Sequence, residues 1–163
     1  MNRTEIENTI ISAFGKVLLG NGVGLYEAEA IDNYESQEFI SEARKKDRVT
    51  WKNWGEIPVN AISTFHSALC FVDAEGMRYL LPAYMLFAVM NYDKTDSAAI
   101  DSAIYALDRG MKAFGDDEAI LSHEQKKAII DFLRFMVFEA GEDMVDADVA
   151  MRAYVNHWVK YDK

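Results

Sequence analysis

The chain is predicted to be mainly α, a single-domain helical bundle over residues 1–163 packed around one short antiparallel β-hairpin at about residues 68–81. Three observations predict this. Apolar residues recur at helical spacing through most of the chain, two Ser/Thr-x-x-Glu/Gln capping boxes mark helix starts, and the stretch ALCFVDAEGMRYLLPAYMLFAVM joins two short apolar runs through a turn signal. A chain of 163 residues is the size of one domain and buries roughly 70% of its unfolded surface, so no disulfide or metal is needed to hold it together.

Element by element, the first helix is expected to open on the capping box of Thr4 and Glu7. Ile6, Ile10, Ala13, Phe14, Val17 and Leu18 share one face of it until Gly20-Asn21-Gly22 stops it. Leu25, Ala28, Ala30 and Ile31 support a second helix to about Tyr34. Ser36 suits the N-cap of a third, which carries Phe39, Ile40 and Ala43 inward and ends near Asp47. Residues 49–65 are irregular, with Trp51 and Trp54 read as lids over a core edge and Ile57-Pro58 starting a short helical turn.

In the hairpin, residues 69–72 and 77–81 form the strands, and Asp73-Ala74-Glu75-Gly76 forms the loop, Gly76 supplying a positive φ. Cys70, the only cysteine, reads as a small core residue of the first strand. Pro82 then occupies the first position of an apolar helix over residues 83–90. Residues 97–107 resume helix with Ile100, Ile104 and Leu107 at helical spacing, and Gly110 breaks it. A capping box at Ser122 and Gln125 opens a helix to about Phe138 that is apolar on nearly every side, which makes it central or covered by a partner; Asp131 and Arg134 read as its exposed stripe. The last helix, about 146–158, starts on acidic residues that favour its dipole and packs through Val149, Ala153, Tyr154 and Trp158.

Half of the residues are hydrophobic and 27% charged, a globular balance. The polar amino terminus lacks the apolar core of a signal peptide, and no apolar stretch approaches the roughly 20 residues that span a bilayer. A cytoplasmic protein without membrane association is therefore expected. The formal charge of −10 is concentrated: residues 23–42 hold six carboxylates and residues 139–148 hold Glu139, Glu142, Asp143, Asp146 and Asp148, with no basic residue in either segment. Such a field repels nucleic acid and attracts a basic protein.

Catalytic and metal motifs are missing. His66, His123 and His157 have no partner at ligand spacing, and His123-Glu124 continues as Gln-Lys-Lys instead of completing a zinc-binding HExxH. Asp143, Asp146 and Asp148 lack the glycine and terminal glutamate of a calcium loop. No phosphate loop, dinucleotide fingerprint or nucleophile elbow occurs. Neither catalytic residues nor a metal or other cofactor is assigned.

Several short stretches are distinctive: Gly24-Leu25-Tyr26-Glu27-Ala28, Ile31-Asp32-Asn33-Tyr34, Trp54 with Ile57-Pro58, and above all Gly76-Met77-Arg78-Tyr79-Leu80-Leu81-Pro82-Ala83-Tyr84-Met85. With these the chain resembles a small bacterial family of uncharacterised proteins, from about Ile6 to Phe138. The resemblance implies a bacterial, cytoplasmic, α-rich domain and supplies no catalytic residues. In type, as a small acidic domain, the chain is also loosely similar to immunity proteins that neutralise toxins.

The leading expectation is a non-enzymatic, acidic protein-binding module, immunity- or antitoxin-like, that masks a basic partner surface through Glu139, Glu142, Asp143, Asp146 and Asp148. Two alternatives stand beside it. One is a small enzyme with a polar pocket near the hairpin formed by His66, Asp73, Arg78 and Tyr79; the other is a structural homo-oligomer that buries the apolar carboxy-terminal helices.

Overall fold

Helix ends set this architecture, because most are closed by a specific side chain. A computed structural model describes residues 1–163 and contains eight α-helices: α1 (Arg3–Phe14), α2 (Leu25–Asp32), α3 (Gln37–Thr50), α4 (Val59–Thr64), α5 (Ala74–Asn91), α6 (Ala99–Leu107), α7 (His123–Phe135) and α8 (Ala147–Ala153). Short 3-10 turns lie at Trp54–Glu56, Ala68–Cys70, Gly110–Phe114 and Val159–Tyr161, and π-helical turns continue α7 over Met136–Ala140 and α8 over Tyr154–Trp158.

Asn2, not Thr4, caps α1: its side chain accepts from Glu5 N–H while Glu5 accepts from Asn2 N–H, a capping box two residues earlier than expected. The helix stops at Phe14, short of the glycines, and its last carbonyls are taken by side chains. Trp54 Nε1 donates to Phe14 O at 2.9 Å and Gln125 Nε2 to Ala13 O at 3.2 Å. Beyond Phe14 the helical register is lost, so Leu18 is 65% exposed while Leu19 is buried.

Ser36 caps α3 as expected, but Phe39 lies outside, and the helix runs on to Thr50. Its inward face is polar. Asp47, 1% exposed, accepts from Tyr26 N–H at 2.8 Å and Glu27 N–H at 3.0 Å, satisfying the free donors at the start of α2. Arg48 donates to Gly20 O and Gly22 O, and Arg44 to Asn21 O and Glu27. A Cβ on Gly24 would stand 2.5 Å from Asp47 Cγ, so only glycine lets α2 start here.

No hairpin exists: residues 68–81 hold a 3-10 turn, a three-residue link and the start of a helix. Ala68–Cys70 is a 3-10 turn, and α5 runs unbroken from Ala74 through Pro82 to Asn91. Asp73 is its N-cap, accepting from Gly76 N–H at 2.9 Å, and Glu75 sits in its first turn. Gly76 is helical, and its missing side chain serves close packing, since a Cβ there would lie 2.2 Å from Val23 O. Twelve of the 18 residues of α5 are buried, so its apolar runs reflect a central helix and not strands. Pro82 removes one intrahelical hydrogen bond, and the helix continues through it. Cys70, expected in a strand core, is exposed.

α5 packs against α1 and α6, and α7 against α1 and α8, around one continuous core of 45 buried residues. The apolar sides of α7 are consumed there: Ile129, Ile130, Phe132, Leu133 and Phe135 are all buried. The stripe of Asp131 and Arg134 divides. Arg134 is exposed and pairs with Asp162, whereas Asp131 is buried and its Oδ2 has no hydrogen-bond partner. No helix is long and apolar enough to cross a membrane.

Candidate functional site

The acidic segment forms a corner between α7 and α8. The π-helical turn Met136–Ala140 ends at Gly141, whose φ of +80° is left-handed and open to solvent, so the backbone conformation alone asks for glycine. Val145 and Ala147 anchor the far side in the core. Around this corner Glu139, Glu142, Asp143 and Asp148 are exposed, and no ion pair joins any of them. Phe138 and Met144 stand among them at 69% and 52% exposure.

Asp146 is different from its four neighbours. It caps α8 through Val149 N–H, accepts from the Tyr105 hydroxyl at 2.6 Å, and its own N–H donates to Asp101 Oδ1 at 2.9 Å. This bonding to Asp146 pushes the Tyr105 phenol up to about 12. Asp146 therefore builds the corner instead of presenting charge from it.

His66, Asp73, Arg78 and Tyr79 do not share a pocket. Tyr79 is in the core, 2% exposed, and burial raises its phenol to about 12. Asp73 is spent on the α5 cap and on Val23 N–H at 2.9 Å. Arg78 lines a cleft with Glu75 and Asp117, where its Nη1 donates to Ile120 O at 3.1 Å and its Nε is buried without a partner. The absence of a hairpin explains the dispersal: successive residues of a helix point about 100° apart, so Asp73, Arg78 and Tyr79 leave α5 in different directions.

His66 opens instead onto a separate cleft of about 350 Å³, together with Ser67, Cys70, Ser102, Tyr105 and Arg109. The 3-10 turn at 68–70 and α6 supply its walls. No sequence motif announces it, since its members are separated by up to 43 residues and meet only when α6 packs on that turn. No group of three or more His, Cys, Asp or Glu side chains is placed to hold a metal ion.

No curated protein and no solved structure matches the chain. Residues 2–162 match the model of a family of unknown function (DUF6714), and the chain belongs to that family.

Proposed function

We propose that this protein is a non-enzymatic binding module whose carboxy-terminal corner docks a basic protein surface, in the manner of an immunity or antitoxin protein. The observation that carries the reading is the pairing of Phe138 and Met144 with four carboxylates that no cation of the chain neutralises. Free carboxylates raise the rate of encounter with a cationic surface, and their field reaches about 8 Å at physiological ionic strength. An exposed aromatic ring and a thioether supply what charge does not, an apolar anchor that slows dissociation. The occupant is accordingly a basic surface with an apolar centre. The homo-oligomer reading draws less support, because the apolar sides of α7 are buried within one chain, while Met151, Val155 and Val159 on the last helical turns stay exposed.

The test is a titration with a synthetic amphipathic helix of leucine and lysine, followed by association rate at several salt concentrations and by amide chemical shifts. Native protein should bind with a steep salt dependence and with shifts centred on residues 138–148. Replacing Glu139, Glu142 and Asp143 by their amides should flatten that dependence. Equal salt slopes for the two proteins would reject this corner, and shifts centred on residues 23–42 would transfer the role to the α2–α3 surface.

A further inference from the structure

We propose that the cleft between the turn at Ala68–Cys70 and α6 binds a small monocarboxylate with a short apolar tail, held by Arg109. Arg3, Arg44, Arg134 and Arg152 form ion pairs, and Arg48 donates to three carbonyl oxygens. Arg109 has one contact only, to Leu69 O at 3.5 Å, the limit of a hydrogen bond. Its sequence neighbour Asp108 is already held by Arg152 at 3.0 and 2.6 Å. Arg48 and Arg78 also lack a carboxylate, but each donates to backbone carbonyls at 3.1 Å or less, so Arg109 is the least engaged of the seven arginines and keeps nearly all of its five N–H donors for a ligand.

What surrounds Arg109 defines the ligand. The cleft also holds the His66 imidazole and the Ser67 hydroxyl, which lie 3.2 Å apart, and its floor is the buried Leu69 and Ala106, with the exposed Ala98 beside them. Ser102 fixes the rim by donating to His66 O at 2.6 Å. One free cation above an apolar floor suits an amphipathic anion, because the guanidinium takes a carboxylate through two parallel N–H bonds. A second negative charge is disfavoured. Tyr105 on the wall is bonded to Asp146, whose N–H is held by Asp101, so two carboxylates stand just outside the cleft and their charge costs a dianion more than a monoanion. The volume of about 350 Å³ falls at the small end of the range for small-molecule sites.

Cys70 lines the same cleft, is exposed and is the chain's only cysteine, which makes its alkylation a reporter of occupancy. In either reaction the thiolate sulfur displaces iodide and forms one S–C bond. Iodoacetate carries a carboxylate that Arg109 attracts, and iodoacetamide is its neutral counterpart. The iodoacetate-to-iodoacetamide rate ratio should be on the order of tenfold higher in the native protein than in Arg109→Gln. Arg78→Gln, which removes the same charge at the other cleft, should leave the ratio at its native value. Equal ratios in native protein and Arg109→Gln overturn the proposal, and so does an equal fall in Arg78→Gln, which would make the effect one of net charge. Butyrate should slow the iodoacetamide reaction of native protein saturably, and inorganic phosphate at the same ionic strength should not. No protection by butyrate, or equal protection by phosphate, overturns the monocarboxylate assignment; this arm needs no variant and stands even where a substitution prevents folding.

Discussion

Asp131 is the least compensated charge in the core. The carboxylate is buried on α7 with Oδ2 unpartnered, and burial raises its pKa above the ordinary 3.8. A raised carboxyl pKa means that the native state holds the proton more tightly than the unfolded chain does, so stability falls as pH rises from 3.8 through the raised value. Asp131→Asn removes that loss. Urea unfolding at about pH 3 and about pH 7 should show the variant gaining on the native protein at the higher pH, and the same offset at both would contradict the assignment. Phe135 tests the opposite kind of residue. It is 3% exposed and meets the Tyr92 ring edge-on at 6.0 Å between centroids. Phe135→Ala should cost about 3–5 kcal/mol by denaturant titration, and a loss below about 1 kcal/mol would place the ring outside the core. The sequence marks Phe135 as apolar on an apolar helix, and burial follows from that. It pairs Asp131 with Arg134 as one stripe, and there the inference fails, because three residues turn a helix by about 300° and the two side chains straddle the boundary of the core.

At the scale of elements, α5 is where the reading from sequence and the structure part. Residues 69–72 and 77–81 are short apolar runs, and periodicity alone does not separate a buried strand from a fully buried helix. Asp73-Ala74-Glu75-Gly76 is equally good as a loop and as an N-cap followed by an acidic first turn. The decision came from packing: Gly76 lies against Val23 O, and α1 and α6 cover the helix that follows. Asp73→Ala should therefore cost about 1–2 kcal/mol, since both Gly76 N–H and Val23 N–H lose their acceptor. Chemical unfolding that registers no change would return Asp73 to the list of residues free for ligand chemistry. The acidic corner behaves in the reverse way. Amides at Glu139, Glu142 and Asp143 should shift the urea midpoint little, because exposed charges without partners contribute little to stability. Asp146→Ala, by contrast, removes the α8 cap and the Tyr105 bond and should destabilise measurably.

For the whole molecule, two sets of carboxylates pull the pH dependence in opposite directions. Burial raises Asp47, Asp101 and Asp131, so each withdraws stability as pH climbs above 3.8. Glu118 is held at about 2 by the Tyr161 hydroxyl and then by Lys126 and Lys160, while Arg3 lowers Asp93 and Arg152 lowers Asp108. Stability from this second set is present above the ordinary carboxylate range and is lost as pH falls through the lowered values. Self-repulsion at a net charge of −10 adds to the loss on the alkaline side. The loss from the buried carboxylates should therefore set in as pH rises above 3.8, and a urea midpoint that climbs steadily from about pH 4 to about pH 8 would show that they do not dominate.

The helical class, the caps at Ser36 and Ser122, the apolar face of α6 and the exposed carboxylates were all decided by residues close together in the chain. Local spacing suffices for these because capping and amphipathicity act within about one or two helical turns. Tertiary structure alone decided three things. It put residues 68–70 in a 3-10 turn and 74–81 in α5 in place of strands, it buried Asp47 against the start of α2 and tied Asp146 to Tyr105 and Asp101, and it brought His66 and Cys70 to one cleft with Arg109. Each depends on partners 20 or more residues away in sequence or on whether a face is covered, and a single helix carries no record of what will pack against it.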